Sequence, residues 1–138
     1  MAFGIESSSP PVWQKITGTL FSSVVVVFLV FDGVIKLVPI QPVIDTLAAL
    51  GYPVELARPL GVITLLCAVL YGIPKTSVLG AILLTALLGG AVATHVRVGS
   101  PLFSHVLFGV YLGLLAWGGL YLRSEVLRRL IPFRRGSL

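Results

Sequence analysis

Charge is what this sequence has least of. Ten Lys and Arg and five Asp and Glu make up 11% of 138 residues, against about 25% in an average soluble domain. A soluble globule is excluded, because so few charged side chains cannot cover a water-facing surface. Cysteine is almost absent too. Cys67, standing alone, rules out an intrachain disulfide, a cysteine zinc cluster, a CxxC redox centre and a cysteine-ligated iron–sulfur centre. GxGxxG and GxxxxGK loops and catalytic serine or cysteine motifs are missing as well, which removes nucleotide and hydrolase chemistry. In their place stand 57% hydrophobic residues and a mean hydropathy of +1.04. Lipid is the solvent for most of this surface.

The hydrophobic residues fall into four runs. Ile16 to Ile35 gives 20 residues with Asp32 as the one charge inside, matching the roughly 20 needed to cross about 30 Å of hydrocarbon. Its Val24-Val25-Val26-Val27 stretch favours a strand in water, but in lipid each backbone amide must bond within its own segment, so helix is predicted. Pro59 to Pro74 is uncharged for only 16 residues. Starting at Leu56, with Arg58 snorkelling to the interface, restores a full span. Thr76 to Thr94 and Leu102 to Leu122 supply the others, the last interrupted only by His105. The expected fold is an all-α membrane protein, a four-transmembrane-helix bundle with helices at about 16–37, 56–73, 76–95 and 102–122. Residues 1–15 form an N-terminal segment, and 123–138 a basic tail. The longest link, Val38 to Glu55, has Val43, Ile44, Leu47 and Leu50 at helical spacing and Gly51 as a stop. It reads as a short interfacial helix in the first outer loop.

Orientation follows from basic residues. Lys15, Lys75, Arg123, Arg128, Arg129, Arg134 and Arg135 flank one side of the four spans, and only Lys36, Arg58 and Arg97 the other. Both termini are therefore expected in the cytoplasm. The tail, with Val126, Leu127, Leu130, Ile131 and Phe133 between its arginines, is expected to lie along anionic lipid rather than nucleic acid. Lys15 is the only charge of its sign before the first run, and no small-x-small cleavage site follows it. The amino end thus reads as an anchor, not a removable signal.

This topology gathers Asp32, Lys36, Glu55, Arg58, His95, Arg97 and His105 at the outer end. Charges at membrane depth are costly unless paired or facing an interior cavity, which makes the cluster a candidate site. Asp32 and Lys36 stand at i,i+4, and the carboxylate reads either as a ligand or proton-relay group or as half of a structural ion pair with Lys36, Arg58 or Arg97. Arg58 opposes the positive end of its helix dipole and needs a carboxylate or an anionic ligand to offset it. His95 and Arg97 close the third span, where cations suit the dipole. No HxxxH or ExxH spacing is present, and His95 and His105 lie on different spans, so no metal is expected. Ala81, Thr85, Gly89 and Ala93, with Ala86, Gly90 and Thr94 beside them, and Gly109-xxx-Gly113 are close-packing faces whose first expected use is to close the bundle. Cys67 reads as an inert small hydrophobe.

Several of these residues form a wider pattern. Phe31-Asp32-Gly33-Val34-Ile35-Lys36-Leu37, Leu50-Gly51-Tyr52-Pro53, Pro59-Leu60-Gly61-Val62, Ile73-Pro74-Lys75-Thr76 with Gly80, and Ala93-Thr94-His95-Val96-Arg97 together resemble the DoxX-like membrane family over most of the chain. The pattern is matched at Gly33, Lys36, Gly51, Tyr52, Pro53, Pro59, Gly61, Pro74, Thr94, His95 and Arg97. Asp32 departs from it, standing where the family usually has a small residue. The resemblance implies a bacterial four-helix protein of the cytoplasmic (inner) membrane. Relatives in the wider DoxX group are linked to thiosulfate:quinone oxidoreduction and to complexes that handle oxidative or thiol stress, and other four-helix relatives act in assembly.

Two functions are therefore expected as alternatives. The first is an accessory or small-ligand subunit of a membrane redox system, its outer pocket lined by Asp32, Lys36, Arg58, His95 and Arg97 and its ligand a quinone or lipid. A quinone's ring and isoprenoid tail suit a lipid-accessible groove, and its carbonyls need a donor such as His95 or Lys36. The chain ligates no redox cofactor of its own, so a partner would supply electrons; no catalytic residue is assigned. The second is a scaffold for another membrane or periplasmic protein, or for a second copy of itself.

Overall fold

A computed structural model describes residues 9–133. Among them it is all helical, without strands: α1 (Val12–Leu37), α2 (Gln41–Ala49), α3 (Ala57–Gly72), α4 (Ser77–Arg97), α5 (Phe108–Arg123) and α6 (Glu125–Leu130). A single 3-10 turn, Val54–Leu56, leads into α3, and a π-helical turn, Leu102–Val106, leads into α5. Four segments are long and apolar enough to cross a bilayer: Val12–Leu37, Val54–Gly72, Ser77–Arg97 and Leu102–Arg123. The chain is a multi-pass membrane protein. Its first helix starts at Val12 rather than near 16, because Pro11 sits just ahead of the first turn, where a missing N–H costs nothing.

The four long helices run up and down, and around the bundle each touches its neighbours in the order α1, α3, α4, α5 and back to α1. Thus α1 and α4 face one another across the diagonal. The shared core is built from Val25 and Leu29 of α1, Cys67, Ala68 and Tyr71 of α3, Ala81 and Leu84 of α4, and Leu112, Ala116 and Leu120 of α5. Cys67 lies in it as a small hydrophobe. Outward, Val27, Leu66, Ile82 and Leu114 are exposed, as lipid solvation allows.

Burial in lipid gives no hydrophobic gain, so close backbone approach and polar bonds must hold such helices together. Both meet at Tyr71, which is fully buried. Its hydroxyl donates to the Ala116 carbonyl at 2.6 Å and accepts from Ser22 Oγ at 3.0 Å, joining α3 to α5 and α1. Gly80 brings α4 onto the same tyrosine: a Cβ there would stand 2.3 Å from the Tyr71 backbone nitrogen. Gly119 lets α5 meet α1, since its Cβ would fall 2.8 Å from Ser22 Oγ and 3.0 Å from the Gly18 carbonyl.

The small residues of α4 divide in two. Gly80 and Ala81 close the bundle as expected. Gly89 and Gly90 do not: a Cβ on either meets nothing within 4 Å, because they lie on the face turned from α3 and α5. Trp117 Nε1 instead ties α5 to α4 by donating to Thr85 Oγ1 at 2.7 Å.

At the Arg123 end, two of the basic residues serve helix termini. Arg123 reaches the Tyr71 carbonyl at 3.4 Å with its Cζ 5.5 Å from the Tyr71 ring, and Arg128 donates to the Leu122 carbonyl at 2.6 Å. Cations at these C-termini satisfy free carbonyls and suit the dipole. Leu127 of α6 is buried, while Val126, Leu130 and Phe133 are exposed. Arg134 and Arg135 lie outside the described residues.

Two neighbouring glycines test this packing. Gly119→Ala should destabilise the protein by about 1–3 kcal/mol through overpacking against backbone, whereas Gly118→Ala, whose Cβ meets nothing within 4 Å, should leave the unfolding temperature in detergent unchanged or raise it. Tyr71→Phe, which strands the Ser22 hydroxyl, should lower stability by about 1–3 kcal/mol in the same thermal assay.

Candidate functional site

The end of the bundle carrying Asp32 is assembled by two helix stops of the same construction. Gly51 follows α2 with φ +75°, and Gly99 follows α4 with φ +69°, a left-handed conformation that glycine adopts without strain. After α2, Gly51 N bonds the Ala48 carbonyl and Tyr52 N the Leu47 carbonyl. After α4, Gly99 N bonds that of Val96 and Ser100 N that of His95. Both are Schellman stops, and in both a proline follows, Pro53 or Pro101, which turns the chain away from the helix. The stops aim Tyr52 and Ser100 back at the end of α4. Tyr52 Oη lies 2.9 Å from Thr94 Oγ1, and Ser100 Oγ 3.0 Å from His95 Nδ1.

A small second core holds α2 over this end. Val43 and Leu47 pack with Ala57 of α3, joined by Ile35 of α1, Tyr52 and Leu60. Arg97 fixes the far edge by donating from Nη2 to the Leu50 carbonyl at 2.7 Å. The short helix thus bridges the diagonal from α1 to α4.

The five residues expected to line the site fall into separate groups here. Asp32 and Lys36 are bound to each other in an ion pair, with each side chain 25% exposed. Their helix presses close to α3, where Gly61 leaves room for the Gly33 carbonyl and Lys36 Cβ, which would lie 2.8 and 3.0 Å from a Cβ at that position. Pairing offsets the cost of placing two charges within a membrane-spanning helix. Arg58 is exposed, with no ion pair or hydrogen bond among the described residues. His95 is half-buried and Arg97 exposed, engaged with Ser100 and Leu50 respectively. No bond joins the Asp32 group to the His95 group, which stand on the two diagonal helices.

The π-helical turn brings in His105, which sequence spacing had set apart. Val106 N bonds the Pro101 carbonyl and Leu107 N that of Leu102, and this wide turn lays the His105 ring edge-on to His95 with centroids 5.7 Å apart. His105 Nδ1 is 2.7 Å from Ser104 Oγ. One turn on, Phe108 meets Phe28 of α1 at 5.1 Å.

Phe28 also belongs to an apolar surface. Ser23, Val24, Val27, Phe28 and Phe31, all on α1, form a shallow, open apolar surface on the lipid-facing side of that helix. A second one, lined by Lys15, Ile16, Thr19, Leu20 and Ser23, joins it at Ser23. Together they cover residues 15–31 of α1, and Asp32, the next residue along the helix, lines neither of them. Neither surface was evident in the sequence, because valine and phenylalanine at these positions read only as lipid-facing residues.

The model of a family described as DoxX-like matches residues 20–119. No curated protein and no solved structure matches the chain.

The bridging bonds of α2 carry a prediction. Arg97→Ala and Tyr52→Phe should each remove about 0.5–1.5 kcal/mol, speeding amide hydrogen exchange in residues 50–56 several-fold, with exchange around Tyr71 unchanged.

Proposed function

The chain belongs to the DoxX-like family, and on that premise we propose that it is an accessory subunit of a membrane redox or stress-response system that takes a quinone-type ligand. Its place is the cytoplasmic membrane of a bacterium, both termini inside, a reading supported by the basic residues that cluster beyond one end of the spans.

The ligand reading is supported by an open apolar surface on α1 that ends at Phe31, just before the Asp32–Lys36 ion pair in the chain. An isoprenoid tail is apolar and flexible, and a surface formed by Val24, Val27, Phe28 and Phe31 offers it contact without demanding a closed cavity. A quinone head at the top of that surface reaches the level of Asp32 and Lys36, whose ammonium can donate to a carbonyl oxygen once it leaves the carboxylate. His95, Arg58 and Arg97 line the same end of the bundle and supply further donors. In this reading electrons come from a partner protein, and the side chains of this chain supply binding and proton donation to the quinone.

A scaffold role is favoured by a different observation. Gly89 and Gly90 of α4 and Gly118 of α5 present backbone to lipid with nothing within 4 Å of a Cβ, a surface that a partner's helix can approach closely.

Native mass spectrometry of protein released from its own membrane in mild detergent separates the two. A bound mass of a few hundred daltons is expected, matching a quinone. Val27→Trp, which reshapes that surface, and Asp32→Asn should each lower its occupancy several-fold without unfolding the protein. Ligand-free protein holding a second polypeptide, released by Gly90→Leu, would replace the ligand reading with the scaffold.

A further inference from the structure

The pair of imidazoles at the end of α4 carries more than the ligand reading uses. We infer that His95 and His105 form a two-histidine site for a late first-row divalent cation, Cu²⁺ above all.

The spacing fits. With a metal about 2.0 Å from each ring nitrogen, an ion sits about 3.2 Å from each ring centre, so two imidazoles on one ion stand about 4.5 to 6.4 Å apart, depending on the angle between them. The observed 5.7 Å lies inside that range. Ligation requires the rings to turn from edge-on to converging, and the exposed His105 side chain makes that turn.

The hydrogen bonds fit as well. Ser100 Oγ at 3.0 Å from His95 Nδ1 and Ser104 Oγ at 2.7 Å from His105 Nδ1 can each accept an Nδ1–H. With the hydroxyls accepting, each Nε2 carries a lone pair, and neither Nε2 has a hydrogen-bond partner among the described residues. A metal-binding histidine commonly has its second nitrogen held in this way. The π-helical turn that delivers His105 is an energetically poor element, of a type frequent at functional sites.

The donor set chooses the ion. No third His, Cys, Asp or Glu joins the two histidines among the described residues, so oxygen-seeking Ca²⁺ and Mg²⁺ find too little. A closed structural zinc site needs four protein ligands. Imidazole favours Cu, Ni and Zn, and Cu²⁺ heads the affinity order. Water would fill the remaining positions.

The experiment is a Cu²⁺ titration of the full chain, purified in detergent with no polyhistidine tag and freed of bound quinone by extraction, followed by electron paramagnetic resonance. One Cu²⁺ per chain is expected, with hyperfine coupling to two imidazoles. His95→Ala and His105→Gln should each weaken binding at least about tenfold and leave one imidazole, and Ser100→Ala should weaken it less. Affinity and nitrogen coupling unchanged in His105→Gln would overturn the proposal, and that exposed position decides the matter even where His95→Ala does not fold. Because quinone is removed beforehand, failure here leaves the quinone reading standing, and success does not depend on it.

Discussion

The hydroxyl of Tyr71 is the point on which this bundle turns. In water, a four-helix bundle is driven together by its apolar faces. In lipid those faces lose nothing by staying apart, and order must come from backbone approach and from polar groups that find no partner in the surrounding tails. Tyr71 supplies both. Its hydroxyl joins Ser22 to the Ala116 carbonyl, and its backbone is where Gly80 lets α4 come in. With Gly119 against Gly18, the four helices are held at one level in the membrane. That fixes the height and rotation of α1 and α4 at their opposite ends.

The Asp32 end inherits that order. Because α1 and α4 are diagonal neighbours, nothing joins them directly there, and the space between is bridged by α2 and its two glycine stops. Tyr52 on Thr94 and Arg97 on the Leu50 carbonyl are modest bonds, each about 1 kcal/mol. They hold a cap that can loosen without disturbing the core around Tyr71.

Much of this was legible in the sequence, and what was not has a physical reason. Hydrophobic run length placed four spans, since the thickness of hydrocarbon sets a length that chance seldom supplies. The i,i+4 spacing made Lys36 one of three candidate partners for Asp32, beside Arg58 and Arg97, and the structure pairs it with Lys36, its neighbour on the helix. Gly51 announced a stop. By contrast, Gly89 and Gly90 read as bundle-closing residues and turned outward: small size permits close approach but does not say to what. His95 and His105 read as distant because a turn separates them, and only the wide π-helical turn after Pro101 brings their rings together. Tyr71 drew no notice in its apolar run, although a buried tyrosine hydroxyl in lipid requires a partner and Ser22 was one of few candidates.

The central claim, that the apolar surface on α1 leads a quinone to the Asp32 end, is tested most directly by photolabelling in a lipid nanodisc with an azidoquinone bearing an isoprenoid tail. The account predicts label on residues 24–36 of α1 and around 95–108, competed by unlabelled quinone and reduced in Val27→Trp. Label confined to the Gly89 and Gly90 face of α4, or spread evenly over all four helices and not competed, would contradict it.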